Sequence, residues 1–320
     1  MEHAVEQRTV SVITPTHCKR EHLAATLGAL GAQTYPLSLV EVIVVDDCSE
    51  DDTWDFLTGL KTQYALRPIL HEENRGSAAA RNTALRAAEG ELALFLDDDM
   101  RAVPGLIEAH VRCHDEHPGA VVIGNALTAP ELGTSNTLRY LDTRGVHKLS
   151  EGAAVPARYF VTNNSSVPRR RLLEVGLFDE SFVGYGFEDT EIAFRLEEEA
   201  GLNFIYCPEA LAYHIHHHSL EQLLRKRYES GRALVHLLES HPHRAAELSV
   251  DALLPPRADD RPALRARKLA MLALMAPPFV AMARAVAGGP FMGPVTCAAI
   301  DYLIADRYRR ALAESLRDAA

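Results

Sequence analysis

The sequence predicts an α/β protein built on a doubly wound, mostly parallel sheet, followed by a helical region. Short apolar runs alternate with helical patterns over about the first 125 residues, as they do in βαβ units. Three of these runs end directly in polar clusters, and ligands bind beyond the carboxyl ends of the strands in such sheets. With 320 residues, 47% of them hydrophobic, the chain can bury a large core.

The individual elements follow from apolar periodicity and from helix start and stop signals. Strands are predicted at residues 10–16, 40–46, 68–71, 92–96 and 120–124, and helices up to residue 33 and at 51–63, 76–88 and 104–117. After about residue 126 this alternation stops, and short apolar pieces mix with Gly, Asn and acidic motifs. From Ser219 the pattern is helical to the end, apart from a proline-rich stretch at 254–262, which predicts a boundary near residue 218.

Charge and cysteine usage narrow the possible partners and location. With 33 Lys+Arg against 44 Asp+Glu, the net charge of −11 argues against nucleic-acid binding, which requires cations that neutralise phosphates. The five cysteines are far apart and form no C-x-x-C pair, which is typical of reduced thiols in a cytoplasmic protein. Residues 1–9 are polar and lack the apolar core of a signal peptide, so we expect a cytoplasmic location.

Three consecutive aspartates, Asp97, Asp98 and Asp99, follow the apolar run at 92–96. Carboxylates at i and i+2 beyond a buried strand can turn toward one hard cation, whereas clustering them without one costs repulsion. We therefore predict a Mn²⁺ or Mg²⁺ site. The alternative is a solvated acidic loop or a helix cap before Pro104.

Polar residues also end the first two strands and begin the third helix. Thr14, Pro15 and Thr16 close the first strand, and Asp46 and Asp47 close the second. A carboxylate at this position can accept hydrogen bonds from a base or a ribose, although Asp can also cap the helix that follows the strand. Near the helix that starts at residue 76, backbone N–H groups and an arginine suit phosphate or ribose, which makes Asn74, Gly76 and Arg81 candidates. A turn followed by a surface arginine gives the same pattern.

Two common nucleotide-binding loops are missing. The sequence contains neither G-x-G-x-x-G nor G-x-x-x-x-G-K-[ST], which argues against a dinucleotide oxidoreductase and against a P-loop enzyme.

Taken in order, seven segments resemble the successive motifs of inverting family-2 glycosyltransferases with the GT-A fold. They are VSVITPTHCK, VEVIVVDDCSEDDT, ENRGSAAARNTAL, LALFLDDDM, TNNSSVPRRRLLEVGLFDESF, GYGFEDTEIAFRL and PEALAYHIHHH. The resemblance covers about residues 8–218. It implies a catalytic domain at 1–218, with a nucleotide-sugar half at about 8–125 and an acceptor half at about 126–218, followed by a helical region at 219–320.

The resemblance also implies roles for the candidate residues. Thr14, Pro15, Thr16, Asp46 and Asp47 would hold the nucleoside, with Asn74, Gly76 and Arg81 nearby. Asp97 and Asp99 would carry the metal and diphosphate, with Asp98 near ribose and sugar. His214 would complete the metal shell, with His216 as the alternative. Asp189 would be the catalytic base beside Glu188, although an acidic pair can also cap a following helix, and the acceptor side would include Asn163, Asn164, Tyr185 and Gly186.

The implied donor is a nucleoside-diphosphate sugar, with uridine as the expected base. The acceptor class stays open between a saccharide, a lipid-linked sugar, a small molecule and a protein. A nucleotidyltransferase of the same fold is the first rival, although it should show a Gly-rich, basic N-terminal loop where this chain has TPTHCK. The second rival, a non-catalytic binding protein, has no need of both the aspartates and the Glu-Asp pair.

The C-terminal region contains an apolar run at residues 269–283. This run is shorter than the ~20 residues that span a bilayer, and Pro277 and Pro278 interrupt it. A core or homo-oligomer helix pair is therefore expected. The alternative is peripheral contact with the inner face of a membrane, favoured by nearby basic residues at Arg257, Arg261, Arg265, Arg267 and Lys268.

Overall fold

A computed structural model describes residues 7–149, 154–182, 184–248, 250, 253–254, 256 and 260–318. The chain divides into two compact units. The first unit comprises residues 1–133, 142–181 and 188–216, and the second comprises residues 134–141, 182–187 and 217–320. Arg257, one of the basic residues noted above, lies outside the described residues.

The described part of the first unit forms a nine-stranded mixed sheet. Its strands are β1 (Val10–Thr16), β2 (Val40–Asp46), β3 (Ala65–Leu70), β4 (Leu92–Leu96), β5 (Met100–Ala102), β6 (Val121–Thr128), β7 (Ala154–Val155), β8 (Asn164–Pro168) and β9 (Phe204–His214). They are ordered β3-β2-β1-β4-β8-β6-β9-β5, and β7 pairs with β9. The pairs among β1 to β4 and the β6–β9 pair are parallel, whereas β5, β7 and β8 run antiparallel to their neighbours.

The described α-helices are α1 (Arg20–Leu30), α2 (Thr53–Gly59), α3 (Gly76–Ala87), α4 (Leu106–Glu116), α5 (Asn136–Leu141), α6 (Arg169–Glu174), α7 (Glu188–Glu198), α8 (Leu220–Ser240), α9 (Pro262–Leu274), α10 (Pro277–Ala287) and α11 (Pro294–Asp318). Those of the second unit are α5 and α8 to α11. The prediction of a mostly parallel α/β sheet with a helical C-terminal region is confirmed.

The central strands position the site because their ends are in register. Thr16 at the end of β1 lies beside Asp46 at the end of β2, and β4 runs parallel to β1 on its other side. These strands are buried nearly throughout, so continuous apolar runs encode them. The side chain of Phe95 on β4 packs edge-on against Phe160 and Phe178, with ring centroids 6.4 and 5.6 Å apart.

Several predicted bounds were wrong, and each error has a local cause. Helix α2 ends at Gly59 rather than residue 63, because Leu60 is extended. Helix α1 ends at Leu30 rather than residue 33. Strand β3 begins at Ala65 rather than residue 68, because this edge strand is only partly buried and its apolar signal is weak. Strand β6 extends to Thr128 rather than residue 124 through pairing with β9, and β5 was not predicted.

In the second unit, α8 begins with a capping box in which Ser219 and Gln222 satisfy each other's backbone N–H groups. Leu223 and Leu224 of α8 pack with Ile300 and Leu303 of α11 in a separate apolar cluster. No described helix is by itself long and apolar enough to cross a bilayer. Together, α9 and α10 reach that length and composition, with a bend of 67° between them.

Candidate functional site

The three predicted metal-site aspartates lie in the turn between β4 and β5. Asp98 and Asp99 are buried, whereas the Asp97 side chain is 33% exposed. The hydroxyl of Thr16 donates to Asp98 Oδ2 over 2.8 Å, and the Thr26 hydroxyl donates to the Asp98 carbonyl over 2.8 Å. Strand ends β1 and β4 thus meet through their side chains, as the sequence predicted for a parallel sheet.

A lysine that the sequence analysis did not single out also belongs to this cluster. Lys19 Nζ donates to Asp98 Oδ1 over 2.9 Å and to Asp99 Oδ2 over 3.1 Å. Burial of Lys19 lowers its pKa, but the two carboxylates more than offset that effect, so the pKa is raised and the ammonium stays charged. Burial raises the pKa of Asp98 to about 6, although Lys19 acts in the opposite direction.

His214 comes close to the aspartates through the pairing of β5 with β9. Met100 is the register partner of His214, and Ile215 N donates to the Asp99 carbonyl over 2.9 Å. His214 Nε2 lies 3.5 Å from Asp99 Oδ1. Two ligands bound at about 2.1 Å to one ion lie roughly 3 to 3.5 Å apart, so an imidazole and a carboxylate at this spacing fit a shared Mn²⁺ or Mg²⁺. His216, the alternative, packs edge-on against His22, with ring centroids 5.3 Å apart.

Arg81 lies between the aspartate turn and the acidic pair at the start of α7. Its guanidinium is 3.4 Å from Asp97, 3.1 Å from Glu188 and 3.8 Å from Asp189. Burial lowers the Arg81 pKa, and the three carboxylates more than offset this, so its pKa is raised further above its ordinary value. One buried cation thereby joins carboxylates that are about a hundred residues apart in sequence.

The contacts and burial of Asp189 shift the pKa of its carboxyl group. The backbone N–H and the hydroxyl of Thr162 donate to its carboxylate over 3.2 and 3.0 Å, and its side chain is 20% exposed. Burial, followed by repulsion from Glu188, raises the pKa of Asp189 to about 7, although Arg81 acts to lower it. A carboxyl group that titrates near neutrality can accept a proton at working pH.

Asp47 caps the helix that begins at Gly76. Its carboxylate accepts hydrogen bonds from Arg75 N over 2.9 Å and from Gly76 N over 2.7 Å, and it lies 2.6 Å from His71 Nδ1. Gly76 has a φ of +84°, a conformation that glycine adopts without the steric cost that a Cβ would add. Asp47 thus binds the start of α3 rather than capping α2, the helix that follows it, and a ligand role for Asp47 stays a prediction.

The other residues predicted to bind the nucleoside differ in how deeply they are buried. Asp46 is buried, and its Oδ1 accepts from Ser49 N over 2.9 Å. Among the described residues, Asp46 Oδ2 and Thr14 Oγ1 are buried without a hydrogen-bond partner. Pro15 lies on β1 beside Val45, and Asn74 is exposed just before α3. The structure therefore aligns Thr14, Pro15 and Asp46 along two strand ends, with Asn74 at the surface.

The four predicted acceptor-side residues are divided between the two units, with Asn163 and Asn164 in the first and Tyr185 and Gly186 in the second. The Asn163 carbonyl accepts from Asp97 N over 3.4 Å, which places its backbone at the aspartate turn. The amide of Asn164 is buried and donates to the carbonyls of Asn125 and Ala210 over 2.9 and 2.7 Å, so it ties strands together. Tyr185 and Gly186 belong to the second unit, where Tyr185 is exposed and its ring lies 4.9 Å from Lys226 Nζ.

Sequence reasoning missed Lys19, His71 and Thr162 as parts of this arrangement. Lys19 closes the TPTHCK segment, so its position after a strand end was the available signal. His71 likewise follows β3 directly. Thr162 opens the TNNSSVPRRR segment, but no local pattern marks its contact with Asp189, which lies 27 residues further along the sequence.

Comparison with known proteins supports the resemblance to family-2 glycosyltransferases. Residues 11–177, more than half of the chain, match the family model for glycosyl transferase family 2. An uncharacterized glycosyltransferase YfnE of Bacillus subtilis is 31% identical over 257 residues, which cover 65% of each chain. A validoxylamine A glucosyltransferase of Streptomyces hygroscopicus is 31% identical over 215 residues, covering 58% of this chain and 51% of that one. The chain thus spans between half and two thirds of these relatives' lengths.

Solved structures show the same fold. The mannosyltransferase PcManGT from Pyrobaculum calidifontis, in complex with GDP-Man and Mn²⁺, aligns with all of this chain and 91% of its own, with a TM-score of 0.64 and 21% identity. Residues 1–349 of S. aureus TarS, in complex with UDP, align over 98% of this chain and 92% of that one, with a TM-score of 0.55 and 19% identity. With the matched motif region and the GT-A-like sheet agreeing, this chain belongs to glycosyl transferase family 2.

Proposed function

We propose that this protein transfers a sugar from a nucleoside diphosphate to an acceptor hydroxyl, in a metal-dependent reaction that inverts the anomeric centre. The observation that carries the proposal is the position of Arg81, whose guanidinium lies between Asp97 on one side and Glu188 and Asp189 on the other. The turn that we propose to hold the metal ion and the carboxylate that we propose to accept the proton are therefore both in contact with Arg81. Both are needed when a diphosphate leaves and a hydroxyl attacks.

The proposed donor is a uridine-diphosphate sugar. Structures of S. aureus TarS contain UDP and UDP-GlcNAc, and the PcManGT structure contains GDP-Man, so guanosine is the alternative base. The strand ends carrying Thr14, Thr16 and Asp46 would hold the nucleotide, while Asp47 already binds the N–H groups of Arg75 and Gly76 at the start of α3. The proposed acceptor stays open among the four classes named above.

Asp97, Asp99 and His214 would hold the metal ion. A bound Mn²⁺ or Mg²⁺ stabilises the negative charge that collects on the departing diphosphate. Lys19 supplies a second, permanent positive charge at the same turn, 2.9 Å from Asp98 and 3.1 Å from Asp99. It limits the repulsion between two buried carboxylates whether or not an ion is bound.

The chemical step is a single displacement. The acceptor oxygen forms a bond to the anomeric carbon as the bond from that carbon to the diphosphate oxygen breaks, and the acceptor proton passes to the Asp189 carboxylate. Attack from the face opposite the leaving group inverts the configuration. Thr162 fixes the orientation of Asp189 through two hydrogen bonds, and Arg81 offsets the negative charge of the Asp189–Glu188 pair.

The test is to incubate the purified protein with a panel of UDP-, GDP- and other nucleotide sugars, with Mn²⁺, Mg²⁺ or excess EDTA. We expect slow release of nucleoside diphosphate from one nucleotide class as water accepts the sugar, faster release when a suitable acceptor is added, and neither in the presence of EDTA. Asp99→Asn should reduce turnover by orders of magnitude, whereas Asp55→Asn, on the exposed surface of α2, should not. Full activity in EDTA would overturn the metal dependence, and formation of sugar nucleotide from sugar phosphate would identify a nucleotidyltransferase instead.

A further inference from the structure

The second unit exposes large apolar side chains on α9, on α10, on the loop that follows them and on the first turn of α11, and we call this set the apolar face. Its most prominent side chains are Leu269, Leu272, Phe279, Met282, Phe291 and Val295. Met282 is 61% exposed, Val295 72% and Phe291 82%. Single exposed apolar residues are ordinary, whereas a set contributed by consecutive elements marks an interaction surface.

This apolar face is held in place by the unit beneath it. Another side of α10 is packed: Ala283 and Ala287 are buried in the cluster that contains Ile300 and Leu303. The Asn136 amide donates to the carbonyls of Ala287 and Gly289 over 3.2 and 2.7 Å, which fixes the start of the loop that carries Phe291. The exposed side chains are therefore presented outward by an ordered helix that already has its core contacts.

Helix α9 differs from α10 because almost nothing of it is buried. Lys268, which pairs with Asp260 over 2.7 Å, is its one buried residue within the described part of the chain. Along one stripe at i, i+4, i+8 and i+11, Arg261 and Arg265 are followed by Leu269 and Leu272. The first half of this stripe is basic and the second half is apolar.

The charge of this segment is opposite to that of the whole chain. Residues 261–300 contain no Asp or Glu, and they include Arg261, Arg265, Arg267, Lys268 and Arg284. The full chain has a net charge of −11. Arg284 pairs with Glu221, but Arg265 and Arg267 make no ion pair with the described residues and are exposed. A positive, apolar surface on an acidic protein is complementary to an anionic, apolar partner.

We propose that this apolar face docks on an anionic lipid bilayer, with Leu269, Leu272, Phe279, Met282 and Phe291 entering the interface and Arg261, Arg265 and Arg267 lying among the headgroups. The 67° bend between α9 and α10 and the arginines in the first half of α9 suit a pair that lies in the interface. A second copy of the chain fits less well, because a two-fold contact would bring two sets of the same cations together. The proposal does not depend on the proposed sugar transfer.

Flotation with vesicles of stated composition tests the proposal on the whole protein. We expect it to float with vesicles containing phosphatidylglycerol and to stay with the soluble fraction when the vesicles are phosphatidylcholine alone. Raising the salt concentration should release it, because salt screens the attraction between exposed charges. Equal flotation with both lipids, or with neither, would overturn the proposal.

Variants distinguish vesicle binding through the apolar face from non-specific binding by other surfaces. Met282→Gln with Phe291→Gln should reduce vesicle binding by more than tenfold, since each removes a highly exposed apolar side chain. The matched control is Leu173→Gln on α6 in the first unit, where Leu173 is 41% exposed, and it should bind as the unaltered protein does. Arg265→Gln should reduce binding about fivefold, as expected for about 1 kcal/mol per basic residue, and Arg317→Gln at the end of α11 should not.

Thermal melting of each variant confirms that it folds, which is expected because the altered side chains are exposed. Sedimentation velocity over a range of protein concentrations tests the alternative, in which a second copy of the chain covers the apolar face. If the unaltered protein forms dimers that Met282→Gln with Phe291→Gln abolishes, and it does not float, the apolar face is a contact between copies and the lipid proposal is wrong.

Discussion

The two units of this protein depart from ordinary folding preferences in opposite ways. The first unit buries charge beyond the end of β4 and on helices α3 and α7: Asp98, Asp99, Arg81 and Glu188 are all buried. The second unit exposes apolar side chains on α9, α10 and the following loop. Burying a charge and exposing a large apolar group both reduce the stability of the fold.

The difference teaches what kind of ligand each region is suited to. Charges that are buried and paired with each other form a preorganised polar site, which can recognise a small charged ligand without reorganising. Apolar groups that stay exposed beside cations can gain free energy only from a large partner that covers them. The proposed sugar nucleotide and the proposed lipid surface therefore follow from separate observations, and experiments can break either one alone.

The largest expected effect is on the base. Asp189→Asn keeps the shape of the side chain and its contacts with Thr162 but removes its basicity, so kcat should fall about 10²- to 10⁴-fold. Nucleoside-diphosphate affinity, measured by calorimetry, should stay nearly unchanged. Glu188→Gln provides the comparison, because Glu188 also contacts Arg81. If Asp189→Asn turns over at nearly the unaltered rate, Asp189 serves only to hold Thr162 in place, and Glu188 becomes the candidate base.

A second prediction compares one substitution in the two units. Phe95→Ala removes a fully buried ring from the sheet core and should reduce the free energy of unfolding by about 3–5 kcal/mol. Phe291→Ala removes a ring that is 82% exposed and should change it by less than about 0.5 kcal/mol. Chemical denaturation of both variants measures the difference. A comparable loss for Phe291→Ala would show that its loop is part of the packed unit and would weaken the docking proposal.

The same contrast explains how much the sequence could predict. Strands β1, β2 and β4 begin and end where expected, because they are buried nearly throughout and their apolar runs are continuous. Strand β5 has only three residues, and it is a strand because Met100 pairs with His214 from a distant segment. The local pattern of apolar residues cannot predict such a pairing between distant segments.

The site divides along similar lines. The carboxylates could be predicted, because a strand end is a local feature and the family motifs mark it. The cations that pair with these carboxylates could not be predicted, because they are far away in sequence. Arg81 lies 107 positions from Glu188, and Lys19 lies 79 positions from Asp98. Which cation pairs with which carboxylate is decided by the sheet order, which brings β1, β4 and β8 side by side.

The last prediction concerns pH and has the smallest expected effect. The pKa of Asp189 is raised to about 7, mainly by burial, and only the deprotonated carboxylate can accept the acceptor proton. Activity should therefore fall as the pH drops below about 7. Between about pH 4 and pH 7 the folded state holds a proton that the unfolded state has released, so this group makes the free energy of unfolding fall as the pH rises.

A substitution at Thr162 should change the pKa of Asp189, and with it the pH at which activity falls, while Asp189 itself is kept. The Thr162 hydroxyl donates to Asp189 over 3.0 Å, and a hydrogen bond to the charged form lowers a pKa. Thr162→Val keeps the shape and the backbone donor but loses the hydroxyl, so the acidic limb of the kcat profile should move up by roughly one pH unit. Thr162→Ser keeps a hydroxyl and should leave the limb near its original position. Because a merely structural loss would lower kcat at every pH, a profile that drops without moving would show that Asp189 does not titrate in this limb.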